Sequence, residues 1–168
     1  MDVAGQLVGG RLVQIAFVVP DVRAALERYD RVLGPRRWRC YRFSSDRHSS
    51  CSYRGEPAEF AALVALDDGS PQLELIQPLA GRTVHTDWLS AGGDGVHHLG
   101  VLVDSVQESI ERMERAGYRV IQAGEGFGAA GDGSYAYFDT ARDLGVDLEA
   151  IEPASAMREP EFVWPGGA

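Results

Sequence analysis

Four polar residues stand where this chain repeats itself. Residues 14–22 read QIAFVVPDV and residues 98–106 read HLGVLVDSV, while LELIQP at 73–78 returns as LEAIEP at 148–153. Gln14 and His98 open the first pair of phrases, and Glu74 and Glu149 hold matching places in the second. A duplicated unit brings equivalent positions together about a pseudo-two-fold axis. One Gln, one His and two Glu then offer N and O donors suited to a divalent cation such as zinc, nickel, cobalt or manganese. Two carboxylates balance a 2+ charge; without a cation they repel and lose solvation, so that at least one is raised and a shared proton must take the cation's place. One strand-embedded Glu would read as an exposed sheet residue, but four polar residues at repeat-equivalent positions predict a metal site of Gln14, Glu74, His98 and Glu149.

The elements that must position these residues follow from periodicity. Residues 12–19 have a strand pattern ended by Pro20-Asp21. Val22, Ala25, Leu26, Tyr29 and Leu33 then share one face of a helix over 22–33, stopped by Gly34-Pro35. Strands are expected at 37–43, 58–66 and 71–77, the last two joined by the hairpin composition Asp67-Asp68-Gly69-Ser70. The second copy predicts a strand at 97–103, a helix at 105–116 ended by Gly117, and strands at 118–122, 134–138 and 146–151. Each copy is thus a βαβββ module, with a connector at 79–95 holding a short helix near 84–90. Residues 1–9 and 154–168 read as tails, with Phe162 and Trp164 able to dock on the body or on a partner subunit.

Strand parity tests the register. If Ile15, Phe17 and Val19 face the helix, Gln14, Ala16 and Val18 face away, and Leu99, Val101 and Val103 separate from His98, Gly100 and Leu102 in the same way. Leu73 and Leu75 likewise oppose Glu74, and Leu148 and Ala150 oppose Glu149. All four polar residues then point to one concave face, an agreement that a one-residue slip would destroy.

Other residues carry weaker signals. His97 has the opposite parity from His98 and is expected to pack or reach solvent. His48, among serines, reads as a loop residue, and His85 as a connector residue that borders the site or is solvated. Phe43, Tyr53, Trp88 and Tyr137 are candidates for pocket lining or for core. The segment GEGFGAAGDG at 124–133 follows a strand but opens no helix and carries no Lys, so it reads as a hairpin loop or lid, not a phosphate cradle. Asp21, Asp104 and Ser105 read as helix caps.

Composition removes whole classes of function. The 168 residues suit one buried domain or two small modules sharing a sheet. A net charge of −9 argues against general nucleic-acid binding. All 16 basic residues are Arg, which excludes a lysine Schiff base and a Walker-type lysine. Cys40 and Cys51 lack CxxC spacing and read as reduced thiols. With no signal-peptide pattern and no apolar run of membrane-spanning length, the expectation is a cytoplasmic protein without a membrane partner. No GxSxG motif supports nucleophilic hydrolysis.

On the ligand phrases and the segment at 74–106, the chain resembles the vicinal oxygen chelate superfamily over about residues 11–153. That superfamily includes glyoxalase I, methylmalonyl-CoA epimerases, extradiol dioxygenases and bleomycin-resistance proteins. The resemblance implies an α+β fold in which two βαβββ modules, 11–78 and 96–153, form a curved mixed sheet around a cleft, as one domain over 1–153 with a C-terminal tail at 154–168. It implies a divalent metal held by Gln14, Glu74, His98 and Glu149, and a homodimer. The stretch ELIQPLAGRTVHTDWLSAGGDGVHHLGVLVDSV is most similar to the epimerases, whose first ligand is usually His where this chain has Gln14. Glyoxalase I of eukaryotic type uses Gln, Glu, His and Glu in this order, yet has Asn for glutathione where this chain has Pro78. Extradiol dioxygenases hold iron with two His and one Glu, which Gln14 does not match.

The expected chemistry is proton abstraction beside a carbonyl or thioester through a metal-stabilised enolate, by an isomerase or epimerase. Glu149 is the candidate base and Glu74 the second. The substrate is a small-molecule carbonyl compound or acyl thioester. The alternatives are a binding or sequestering protein of the resistance type using the same cleft, and a glyoxalase-like lyase or cyclase of specialised metabolism.

Overall fold

Helix propensity and capping set the two long helices, and both pack on one side of a single sheet. The computed structural model describes residues 8–93 and 95–165. In the first module β1 (Arg11–Val18) leads to α1 (Val22–Leu33), which Asp21 caps by accepting a hydrogen bond from the Ala24 amide at 3.0 Å. β2 (Trp38–Ser44), the short β3 (Ser50–Tyr53) and β4 (Glu56–Pro57), β5 (Phe60–Asp67) and β6 (Gln72–Gly81) follow. A connector helix α2 (Val84–Ser90) carries a Thr83/Thr86 capping box. The second module runs β7 (Val96–Leu102), α3 (Val106–Arg115), β8 (Val120–Phe127), β9 (Gly133–Phe138), a one-turn α4 (Ala141–Leu144) and β10 (Asp147–Glu152). Finally β11 (Phe162–Trp164) returns to pair with β2.

The sheet order is β11-β2-β5-β6-β1-β7-β10-β9-β8-β3-β4. Within it, β1 lies parallel to β6 and β7 parallel to β10, and the two modules meet at the antiparallel β1–β7 pair. That junction carries the pseudo-two-fold axis. Two cross-strand rows lie beside it: Gln72, Gln14, Gly100 and Glu149 in one, Glu74, Ala16, His98 and Asp147 in the other. Each row is the image of the other.

The core divides as strand parity requires. On the helix side Val19, Val22, Leu26, Trp38 and Leu75 pack together under α1, with Phe17 and Leu73 against them. Val101, Val103, Met113, Phe138 and Ala150 pack under α3. Fully buried Leu26 contributes roughly 1.5–3 kcal/mol through the apolar area removed from water. On the concave side the small Ala16 and Ala62 join Val64 and Ile76, leaving room above the sheet centre.

Several expectations shift at their edges. β8 takes in 124–127, so the glycine-rich loop shortens to 128–132. The 48–57 region supplies a hairpin whose turn puts Arg54 at φ 51° and Gly55 at φ 83°, the left-handed pair that a two-residue turn demands. Of the expected C-terminal tail, Phe162 packs on the α1 core and Trp164 Nε1 donates to Asp30 at 2.8 Å. Residues 1–7 of the expected N-terminal tail and residues 166–168 lie outside the described residues. Cys40 and Cys51 are free thiols. No described helix is long and apolar enough to cross a membrane.

Candidate metal centre

His98 stands at the middle of the concave face, with 0% of its surface exposed. Its Nε2 lies 3.2 Å from Glu74 Oε2 and 3.2 Å from Glu149 Oε2, and the three ligand atoms fall within 4.8 Å of one another. Nε2 sits between the carboxylates at ion-pair distance, and neither it nor the buried Glu74 Oε2 makes a well-aligned hydrogen bond. All three groups come from one chain.

Gln14 reaches the same space from β1. Its Nε2 donates to Gln72 Oε1 at 3.0 Å, and Gln72 Nε2 donates in turn to the Asp67 carbonyl at 3.0 Å. Two amides in series thus fix which end of Gln14 faces the site: the carbonyl Oε1, buried without a partner. That oxygen lies over Gly100, where an added Cβ would stand 2.6 Å from it. Glycine is required at this point of β7 for a packing reason, since any side chain would displace Gln14.

Asp67 anchors the remote end of this chain. It is 1% exposed, accepts from the amides of Gly69 at 3.0 Å and Leu73 at 2.7 Å, and is paired with Arg36. The β5–β6 turn therefore sets the register of Gln72 and Glu74 together.

Behind His98 stand two further histidines. His97 Nδ1 and His98 Nδ1 are 2.9 Å apart, and the His97 ring also hydrogen-bonds to the backbone of Val84. With His98 as the Nδ1–H donor, its Nε2 lone pair faces the two carboxylates, the tautomer a metal ligand requires. His85, His97 and His98 also form a group within 4.8 Å. A neutral His98 has one lone pair, so it cannot ligate in both groups; with His98 as donor in the Nδ1–Nδ1 hydrogen bond, that lone pair is on the side of Glu74 and Glu149.

The electrostatics follow from burial. Desolvation opposes charge on His98, but Glu149 and Glu74 outweigh it and raise its pKa to about 9. Desolvation raises Glu74, an effect that His98 offsets and Glu149 reinforces. Burial pushes His85 well below the usual histidine range and His97 to about 3, so both rings are neutral. Burial, with Glu149 and Glu74 adding to it, raises Tyr137, whose hydroxyl donates to Glu149. In the metal-free protein a proton on His98 thus does part of a cation's work. Once that proton is displaced, the imidazole nitrogen and the two carboxylates, with the Gln14 amide oxygen lining the same cleft, are a donor set that fits a divalent ion.

A cleft of ≈ 280 Å³ opens onto the group, lined by Gln14, Phe43, Gln72, Glu74, Phe127, Tyr135 and Glu149 among others. A larger apolar depression of ≈ 380 Å³ lies on the helix side, between Val8, Leu12, Met113 and Leu148, with no carboxylate or histidine in its lining. Phe43 and Tyr137 reach the concave site, whereas Tyr53 and Trp88 do not line it. Tyr53 instead hydrogen-bonds Asp87, and Trp88 packs edge-on against His97. His97 turns out to be a hydrogen-bonded neighbour of His98. His48, expected in a loop, sits in a cage of Phe43, Phe60, Phe127 and Tyr135 that only tertiary packing creates. His85 is 6% exposed and therefore borders the site instead of solvent.

A curved sheet of paired modules with polar residues converging at their junction defines a known class. The family model described as the Glyoxalase/Bleomycin resistance protein/Dioxygenase superfamily matches residues 13–138, and the chain belongs to that superfamily. Among curated proteins it is similar to the ethylmalonyl-CoA/methylmalonyl-CoA epimerase of Cereibacter sphaeroides. The two are 26% identical over 117 residues, covering 69% of this chain and 78% of the relative. Among solved structures it resembles the methylmalonyl-CoA epimerase of Mycobacterium tuberculosis at 24% identity and a TM-score of 0.61, covering 89% of this chain and 91% of that one. A variant of the Streptomyces coelicolor methylmalonyl-CoA epimerase in complex with 2-nitronate-propionyl-CoA matches at 21% identity and a TM-score of 0.55, covering 87% and 99%. At these identities the structural likenesses establish the fold.

Proposed function

We propose that the chain is a metal-dependent epimerase or isomerase that moves a proton on the carbon next to a carbonyl or thioester. The observation that carries this reading is the convergence of buried Glu74, His98 and Glu149, whose ligand atoms lie within 4.8 Å of one another, with the unpartnered Gln14 Oε1 beside an open cleft. Gln14, Glu74, His98 and Glu149 would hold the ion, with zinc, nickel, cobalt or manganese as candidates. When bound, a divalent ion supplies Lewis-acid polarisation of the substrate's carbonyl oxygen.

Glu149 takes the α-proton, oriented by the Tyr137 hydroxyl, and Glu74 is the second candidate. Phe43, Phe127 and Tyr135 wall the cleft and exclude water from the developing negative charge. His97 holds His98 in its ligating tautomer. Return of the proton to the opposite face gives epimerisation; return to a neighbouring carbon gives isomerisation.

An acyl-CoA is the substrate class we favour. The epimerase relatives support it, and so do Arg42, Arg47 and Arg158, which line a depression sharing Phe43, Phe127 and Met157 with the cleft and could meet a distant phosphate. Metal-loaded protein incubated with isobutyryl-CoA and methylmalonyl-CoA in D2O is expected to place deuterium on the α-carbon. Glu149→Gln should slow uptake by about a hundredfold or more. Unchanged uptake in that variant removes Glu149 as base. Tight ligand binding that survives chelation, without any exchange, would favour a sequestering protein.

A further inference from the structure

The cleft beside the metal ligands is rich in hydrogen-bond acceptors and poor in donors. Glu74, Glu149 and the Gln14 carbonyl bring oxygen lone pairs to it, while no Arg, His, Ser or Thr is among the described residues that line it. The chain has no Lys. The side chains of the lining that can donate a hydrogen are those of Gln14, Gln72 and Tyr135. Both amides already donate, Gln14 to Gln72 and Gln72 to the Asp67 carbonyl, each at 3.0 Å. The Tyr135 hydroxyl donates to no described residue.

The surroundings of Tyr135 hold it in place. On β9 it stands in register with Gly124 of β8 and Ile151 of β10. A Cβ on Gly124 would lie 2.6 Å from the Tyr135 Cζ and 2.7 Å from its hydroxyl oxygen, so the phenol rests on bare backbone. Tyr137 and His48 meet its ring edge-on, with centroids 5.7 Å and 6.0 Å away. Gln122 Oε1 accepts from the Val84 amide at 3.0 Å, which leaves the Nε2 end of that amide to act as donor toward the Tyr135 oxygen. With a donor on its oxygen, the hydroxyl sends its own hydrogen elsewhere.

Two openings receive it. Tyr135 is 8% exposed and lines both the cleft and a recess of ≈ 50 Å³ that continues past Glu74 and Glu149. Its oxygen is not among the buried, unpartnered atoms, in contrast to Gln14 Oε1. A phenol keeps its proton at neutral pH, so this is a standing donor, satisfied by water or by an acceptor of the ligand. A carboxylate or keto group on the acyl part of a thioester offers such an acceptor. A carboxylate has two oxygens, one free to face the ion and one to face the hydroxyl.

We propose that Tyr135 donates a hydrogen bond to an oxygen of the substrate's acyl group other than the carbonyl oxygen that the ion polarises, and that the chain thereby selects acyl thioesters with a second oxygen near the α-carbon. This rests on the acyl-thioester reading above. It makes Tyr135 a specificity-determining contact in addition to a wall of the cleft.

Isobutyryl-CoA and methylmalonyl-CoA test it, since they differ only in a methyl against a carboxylate group. The carboxylate also meets the ion, so the decisive quantity is how the preference changes when the hydroxyl alone is removed. Calorimetric titration of the metal-loaded wild type should favour methylmalonyl-CoA. Tyr135→Phe should weaken binding of that thioester by about tenfold or more, while isobutyryl-CoA changes by less than about twofold. Metal content and the thermal unfolding midpoint should stay as in the wild type. Equal losses for the two thioesters would mean that the tyrosine only shapes the cleft, and no loss for either would mean that water holds the hydroxyl; each overturns the proposal. A wild type without preference between the two overturns it as well, and needs no variant to fold. If the wild type binds neither, the thioester reading fails and takes the proposal with it.

Discussion

Adding one methyl group at Gly100 should separate metal binding from folding. An alanine Cβ there would lie 2.6 Å from Gln14 Oε1, 2.9 Å from Gln14 Cβ and 2.9 Å from Ile151 Cδ1. All three are closer than atoms of these types approach, so the Gln14 side chain must swing away. Its carbonyl then leaves the space shared with His98, whereas metal–ligand distances tolerate only about ±0.2 Å. Loss of one of four donors should weaken divalent-metal binding by about 10–100-fold, or roughly 1.4–2.7 kcal/mol. The fold should suffer less. Overpacking costs about 1–3 kcal/mol, but replacing a strand glycine returns about 0.5–1 kcal/mol through reduced backbone entropy. A competition titration against a fluorescent chelator measures the first effect and thermal unfolding of the metal-free protein the second. The mirror substitution Ala16→Gly, on the other arm of the pseudo-symmetry, adds no atoms and should leave Gln14 in place. Metal affinity of Gly100→Ala within about twofold of wild type would refute the assignment of Gln14 as a ligand.

Three further outcomes follow from the same geometry. Gln72→Leu removes the acceptor that orients the Gln14 amide and should lower metal affinity by about tenfold, read by the same competition assay; unchanged affinity means the amide chain does not orient the ligand. Asp67→Asn leaves the Gly69 and Leu73 amides and the half-buried Arg36 guanidinium poorly matched and should destabilise the fold by about 1–3 kcal/mol in urea unfolding, with a loss under 0.5 kcal/mol counting against the anchor role. Metal affinity should rise with pH, because binding displaces the His98 proton. The folded pKa of about 9 lies above the ordinary 6.5, so that proton stabilises the metal-free fold below pH 6.5 and ceases to as pH climbs through 9. Over that window apparent affinity should gain about tenfold per pH unit, and a flat profile from pH 6.5 to 8.5 would contradict it.

The doubled phrases made the architecture readable because each encodes a strand parity and a capped helix, two local signals with little room for an alternative. That Gln14, Glu74, His98 and Glu149 share one face was legible for the same reason: strand alternation alone decides which face a residue takes. What escaped depended on long-range packing. The hairpin of β3 and β4 turns on Arg54-Gly55, in place of the Asn-Gly or Asp-Gly that usually marks such a turn, and its strands are short and polar. His48 stands among serines in sequence, yet its aromatic cage comes from β2, β5, β8 and β9. His85 lies on a seven-residue helix too short to display periodicity, so its burial is set by the docking of Val84 onto Gln122. The orienting partner Gln72 carried one usable signal: it shares a strand face with Glu74, two residues away.

The central claim is that one divalent ion binds where the two modules meet. Protein purified without chelator should carry close to one equivalent of zinc, nickel, cobalt or manganese by elemental analysis. After stripping, it should rebind one equivalent in a titration that Glu74→Gln and Glu149→Gln each weaken by about tenfold or more. A stripped wild-type protein that takes up none of these ions, or binds them equally well in both Glu variants, would contradict the account.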